Sequence, residues 1–377
     1  MFDHAARRRR LWERMEAAGV AALFLPVSAD LEYLTGVERP IPFFGQSSYQ
    51  HGWASGALFV RHADPIFVFP RMFVAFDLVD RPEGELVVVN ETDDGEAKFA
   101  RMLSAVPANG TMAVGDRIWG ETLLHIGRTV GFDRLTTGSQ LVNDLRRVKD
   151  GDELAAMGRA VAAAEAAMAA VSPLVQPGAT LAELADAVEQ ELRRAGSRCP
   201  SFTTHLFTNF GEGELDSGMA SRVVPIREHT SVMFDFGGVV DGYCSDFGRT
   251  VYCGEPPADY RAVYDVMLAA HETGRAAAAA GVPARDVNAA CRRPIEEAGL
   301  GEHFRHRMGH GIGMDVHERP FLSEEDETPL ERGMTFTDEP SIMITGRFGV
   351  RIEDIIVCEE GGGRRLNSYP TELRASV

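Results

Sequence analysis

Apolar positions recur in two rhythms along this chain. Residues 6–18 follow a helical period, whereas VAALFLP (20–26) is a continuous apolar run, ALFV and PIFVFP (57–70) form a strand pair, and LVVVN (86–90) and TMAVGD (111–116) are further short strands. This alternation predicts an α/β domain over residues 1–148. At RRVKDGDELAAM (146–157) a charged, glycine-containing turn opens a long alanine-rich helix, about 153–173, closed by VSPLVQPGAT. A second domain, 149–377, starts there. Its pattern gives a helix at 180–195, an irregular glycine-rich stretch at 207–218, and a hairpin at 233–250. Helices at 258–280 and 284–298, a His-Gly segment and a second hairpin at 334–357 follow. Helices grouped against antiparallel hairpins read as α+β.

Composition narrows the function classes. The 377 residues are 45% hydrophobic, enough for two cores, and carry a net charge of -18, which opposes nucleic acid and anionic membrane surfaces as partners. A small-molecule or peptide partner is expected. Five cysteines without C-x-x-C spacing suggest neither a disulfide framework nor a thiolate zinc site, and fit a reducing cytoplasm. The N-terminus lacks the apolar core and cleavage site of a secretory leader, and no run approaches the ~18 apolar residues of a membrane span. The Arg7–Arg10 block reads as a solvated helix face.

The candidate chemistry lies in the second domain. In MFDFGGVVDGYCSDFGRT (233–250) the Asp241-Gly242 turn places Asp235 opposite position 248, so that Asp246 is its diagonal neighbour, roughly 7–8 Å away by Cα. Two aspartates on one face repel each other and lose hydration unless a cation lies between them. In MTFTDEPSIMITGRFGVRIEDIIV (334–357) Gly346 is the midpoint of Glu339 and Glu353, so an odd-length loop would set the two glutamates across from each other unless a bulge at Pro340 shifts the register. Between the hairpins, FRHRMGHGIGMDVHERP (304–320) places His310 among Gly309, Gly311 and Gly313, with His306 and His317 nearby. Two Asp, two Glu and one His are an oxygen-rich set suited to two divalent ions, with manganese, cobalt and zinc as candidates. Two such ions roughly 3.5–4 Å apart can hold a bridging water, lower its pKa and polarise a carbonyl, which is hydrolytic chemistry.

The stretches MFDFGGVVDGYCSDFGRT, RMGHGIGMDVHERP, TFTDEPSI and GVRIEDIIV, in this order, resemble the pita-bread metallopeptidases, which include Xaa-Pro aminopeptidases, prolidases and methionine aminopeptidases. YLTG (33–36) and LRRVKDGDELAAM (145–157) extend the resemblance to the prolidase-type N-terminal domain. It implies a C-terminal pita-bread fold and two divalent ions, manganese first, held by Asp235, Asp246, His310, Glu339 and Glu353, with Asp246 and Glu353 bridging. Glu339 would also accept the proton of the attacking water. His306 and His317 would line the substrate site, His317 stabilising the tetrahedral intermediate or guiding the leaving amine, and Arg351 would orient carboxylates or substrate. The implied protein is a cytoplasmic homodimer that hydrolyses short peptides, as an Xaa-Pro dipeptidase or aminopeptidase. A non-peptide C–N substrate on the same scaffold is the alternative.

Two departures from the pattern bear on substrate. The loop GELDSGMAS has Ser217 and Gly218 where such peptidases carry a substrate-facing histidine, leaving Asp216 as the nearby polar candidate for substrate binding. The usual EPG is EPS, preceded by Asp338, which either adds charge near the ions or points away from them.

Overall fold

The computed structural model describes residues 2–40, 49–209, 215–216, 223, 225–344 and 346–376. The chain packs as two units, Met1–Arg146 and Arg147–Val377.

In the first unit, Val20–Pro26 lies central in a mixed six-stranded sheet. It runs antiparallel to Gly56–Val60 and parallel to Thr111–Val114, and Ile66–Pro70 and Glu85–Val89 extend one side. All seven residues of the central strand are buried, which is why it reads as an unbroken apolar run. The other edge strand, Leu135–Thr137, was not expected, since three half-exposed residues carry no period. The arginine block corrects its expected solvated reading. Arg7 and Arg8 are buried and donate to the carbonyls of Tyr33 (3.0 Å) and Leu34 (3.1 Å). They satisfy carbonyl groups at the end of helix Ala29–Thr35, where a cation also complements the helix dipole. Only Arg9 and Arg10 of the block face solvent.

In the second unit, helix Gly151–Val171 starts at a capping box: Glu153 N–H donates to Asp150, and Asp150 N–H donates to Glu153, both at 2.9 Å. Gly151–Leu174 is long and apolar enough for a membrane span, contrary to the sequence reading, but half of it is buried in this unit, as in a core helix. Helix Leu181–Arg194 has its own capping box at Thr180 and Glu183. Helices Ala258–Ala277 and Ala284–Glu297 follow.

These helices cover two five-stranded sheets. One has the order Arg374–Ser376, Phe247–Cys253, Thr230–Phe236, His205–Asn209, Leu215–Asp216; the other runs Glu318–Leu322, Gly309–Gly311, Thr335–Asp338, Asp354–Glu359, Gly362–Arg365. The stretch expected to be irregular therefore begins as a strand. Alternation explains it: Leu206 and Thr208 point inward, and Thr208 donates its hydroxyl proton to the Ser231 carbonyl.

The same parity divides the site from the core. Val232, Phe234, Phe236, Phe247, Val251 and Leu206 pack with the two N-terminal helices of this unit, so Asp235, Gly248 and His205 are turned to the opposite face of that sheet. Phe336, Ile356 and Cys358 pack with the later helix pair, so Glu339 and Glu353 are turned away from it.

Candidate active site

Both hairpins hold the register their turns dictate. Asp241 and Gly242 take positive φ (50° and 80°), as a two-residue hairpin loop of the mirror-image type requires, and Asp235 faces Gly248 as expected. In the second hairpin Ser341 faces Arg351 and Asp338 faces Asp354; the strand pairing breaks at Pro340 but the register is the same on both sides, so no bulge displaces Glu339 from Glu353. Glu353 also bridges to Gly248, its N–H donating to the Gly248 carbonyl at 3.0 Å. His205, Asp235, Gly248 and Glu353 thus form one cross-strand row. Glycine at 248 leaves room for these side chains, because a Cβ would come within 2.6 Å of Glu353 Oε2 and 2.7 Å of Arg351 Cδ and push them aside.

The carboxylates converge. Oxygens of Asp235, Asp246 and Glu353 lie within 4.8 Å of one another. His310 reaches in from strand Gly309–Gly311, with Nε2 3.3 Å from Glu339 Oε1 and 3.5 Å from Asp246 Oδ2. Its Nδ1 lies 3.2 Å from the Gly311 carbonyl, which can only accept; with the proton on Nδ1, the Nε2 lone pair faces the carboxylates and is available to a cation. The Thr337 hydroxyl donates to Glu339 Oε1 and accepts from His310 N–H, both at 3.1 Å. Gly309 permits this approach, since a Cβ there would sit 1.8 Å from the Thr337 carbonyl oxygen.

Electrostatics show what the cluster lacks. Burial, then the Asp235 and Glu339 charges, push Asp246 well above the usual carboxylate range; burial and then Asp246 do the same to Glu353. Arg351 touches Asp235 and lies 3.4 Å from Glu353 and 3.6 Å from Glu339. Burial opposes its charge, but those carboxylates outweigh burial and hold it firmly cationic. One guanidinium against four carboxylates leaves negative charge uncompensated, and Asp246 Oδ1 is buried without a hydrogen-bond partner among the described residues. Oxygen donors, an imidazole lone pair and excess negative charge fit divalent cations.

Three site histidines, His306, His310 and His317, are pushed toward the neutral form. Burial pushes His310 down to about 4; burial and then the neighbouring His310 push His317 to about 4. The rings of His310 and His317 meet edge-on at 4.0 Å. His306 is lowered by burial, and both its nitrogens are engaged: Nδ1 is 2.7 Å from the Arg307 carbonyl, and Nε2 is 2.5 Å from Ser341 Oγ. Ser341 of the EPS departure is therefore bonded to a site histidine. For Asp216 the structure gives only the backbone, paired with Thr208; Ser217 and Gly218 lie outside the described residues.

Asp338 points away from the site. It lies opposite Asp354 on the helix side, and both are fully buried. Such a pair repels unless cations flank it. Asp354 has Arg249 at 2.7 Å, Arg365 at 2.8 Å and His271 at 3.2 Å, which outweigh burial and hold it below the usual range. Asp338 is pushed up to about 7, chiefly by burial, and His271 is raised because Asp338 and Asp354 outweigh its burial. Neither Asp338 nor His205 was placed by sequence reasoning. Strand parity would have oriented Asp338 opposite to Glu339, whereas His205 becomes visible only through a strand pairing thirty positions away.

Known proteins resemble this chain in sequence and fold. The sequence profile of metallopeptidase family M24 matches residues 155–360, more than half of the chain. The chain belongs to metallopeptidase family M24. Among curated M24-like relatives, the probable dipeptidase PepE of Mycobacterium tuberculosis is 32% identical over 379 residues, covering 99% of this chain and 97% of that protein. The Xaa-Pro dipeptidase of Pyrococcus furiosus is 34% identical over 233 residues, covering 62% and 66%. A recombinant prolidase from Thermococcus sibiricus superposes with a TM-score of 0.87 at 27% identity, covering 100% of both chains. Dipeptidase PepE from Mycobacterium ulcerans gives 0.84 at 29%, covering 99% of each. This M24 chain is a metallopeptidase with the α+β pita-bread fold, and its chemistry is metal-dependent peptide hydrolysis.

Proposed function

We propose that this peptidase hydrolyses short peptides of the Xaa-Pro dipeptide or aminopeptidase type with two divalent ions, manganese first and cobalt or zinc as alternatives. The observation that carries the reading is the convergence of Asp235, Asp246 and Glu353 on one point, with the His310 lone pair and Glu339 beside them. Asp235, Asp246, His310, Glu339 and Glu353 would hold the ions, and Asp246 and Glu353, the two whose burial most disfavours a bare charge, would be shared between them. The ions, when bound, polarise the scissile carbonyl and acidify the attacking water.

The chain's own groups do the rest. Glu339 accepts the proton of the attacking water through a carboxylate steadied by Thr337. His317, beside His310, meets the developing charge on the tetrahedral carbon's oxygen or the leaving amine. Arg351 fixes Asp235 and Glu353 from behind, and His306 borders the substrate. Asp216 is placed near the substrate by sequence alone. The five cysteines are buried and none is in a disulfide, which fits a reducing cytoplasm. Exposed Phe76, Trp119 and Phe132 on the first unit offer apolar surface to a second copy in a homodimer.

One observation favours the non-peptide C–N substrate: His306 is already bonded at both nitrogens. Metal content measured with manganese-dependent hydrolysis of Xaa-Pro dipeptides, Xaa-Pro-Yaa tripeptides and non-proline amides separates the readings. Bound metal with proline-peptide cleavage is expected. Bound metal with cleavage of non-proline amides alone would overturn the proline reading.

A further inference from the structure

The row His205–Asp235–Gly248–Glu353 has an end that the proposed reaction does not use. His205 lies directly opposite Asp235, and residues facing each other across antiparallel strands share a face. Leu206 and Thr208 on the same strand are buried on the other side, which independently turns His205 and Phe207 toward the site. Phe207 confirms the direction, its ring centroid lying 5.9 Å from the Arg351 guanidinium.

His205 is half-buried between Phe202 and Phe207, with ring centroids 6.0 Å away on each side. Among the described residues its nitrogens have no hydrogen-bond partner. Asp235, across the strand, is already taken by Arg351. His205 is a donor held beside aromatic rings near the reacting centre, with nothing among the described residues to donate to.

His310 contacts Asp246 and Glu339, not Asp235, and His317 packs against His310. His205 therefore flanks the cluster at Asp235, whereas His310 and His317 flank it at Asp246 and Glu339. With His317 on the leaving-amine side, which rests on the reading proposed above, the His205 end faces the residue on the amino side of the scissile bond.

We propose that His205 is a specificity-determining residue that donates a hydrogen bond to the side chain of the substrate's amino-terminal residue, favouring a carboxylate or carboxamide there. An imidazole between two phenyl rings loses solvent when that subsite fills, and an unpaired buried donor is costly. An aliphatic side chain would leave it unpaired.

The test compares the manganese-loaded wild type with His205→Leu and His205→Asn on Glu-Pro, Gln-Pro and Leu-Pro, together with manganese content and thermal melts. The ¹⁵N imidazole resonances of His205 are followed as glutamate, glutamine or leucine is added. Wild type should favour Glu-Pro and Gln-Pro over Leu-Pro by roughly 10-fold in kcat/KM. His205→Leu should remove that preference through KM, and His205→Asn, which keeps a donor, should retain part of it, with manganese unchanged in both. The His205 resonances should move with glutamate and glutamine and not with leucine. Unchanged selectivity in a folded His205→Leu protein would overturn the proposal, as would loss of manganese, which would make His205 a ligand. Turnover without any His205 shift sinks this proposal and leaves the peptidase reading intact. A selective shift without turnover of any dipeptide does the reverse.

Discussion

Of the residues in the site, Glu339 has the most distinct proposed duty, that of proton acceptor. Its backbone N–H is bonded to the Met308 carbonyl at 2.9 Å, and its side chain is bonded to Thr337 and close to His310, so the carboxylate is aimed before any substrate arrives. Glu339→Gln keeps an oxygen ligand and loses the proton acceptor. Its kcat on the best proline peptide should fall by on the order of 10²- to 10⁴-fold with KM little changed; a variant within about 3-fold of wild type would remove the proton-accepting role. Glu339 and Glu353 stood out in the sequence because carboxylates among Phe336, Ile342, Ile352 and Ile355 fit a solvated strand edge poorly, whereas Asp235, Asp246 and His310 drew attention only in combination and through the family resemblance. His205 was not legible. A lone histidine in PSFTTHLFT carries no signal of its own, and its neighbour Asp235 comes from a different strand.

At the scale of elements, turn chemistry made the two hairpins readable. Asp241-Gly242 and Gly346 set registers that bring Asp235 opposite Gly248 and keep Glu339 in line with Glu353. The close packing of Gly309 against Thr337 was only hinted at by the glycines around His310. Gly309→Ala would drive a Cβ into a backbone carbonyl that has no room to retreat. It should cost about 3 kcal/mol, read as a drop of roughly 5–10 °C in the melting temperature of the metal-free protein. A melt within about 1 °C of wild type would mean the two strands do not pack this closely. Arg7 and Arg8 show where a charge pattern misleads: their partners are the carbonyls that close another helix, and sequence proximity does not reveal them.

At the scale of the whole molecule, buried charge sets how stability varies with pH in the metal-free protein. Asp246 and Glu353 are raised, Asp338 is raised to about 7, and His271 is raised. Each group whose folded pKa exceeds its unfolded value contributes stability that is present at low pH and lost as pH rises through the folded value. His306, His310 and His317 are depressed, so their contribution is present above the unfolded value, near about pH 6.5, and lost as pH falls below it. The melting temperature of the metal-free protein should therefore fall from about pH 6.5 toward pH 8, where the histidine gain is complete and the raised groups still lose theirs, and manganese should flatten this fall. A metal-free melt that rises steadily from pH 6 to 8 would contradict this charge assignment.

The central claim is that five side chains from two hairpins and one glycine-flanked strand hold a pair of ions. Anomalous diffraction from manganese-loaded crystals tests it most directly. The account predicts two anomalous peaks, both within coordination distance of Asp246 and Glu353, with His310 bound to only one. A single peak, or peaks that Asp246 and Glu353 do not share, would contradict it.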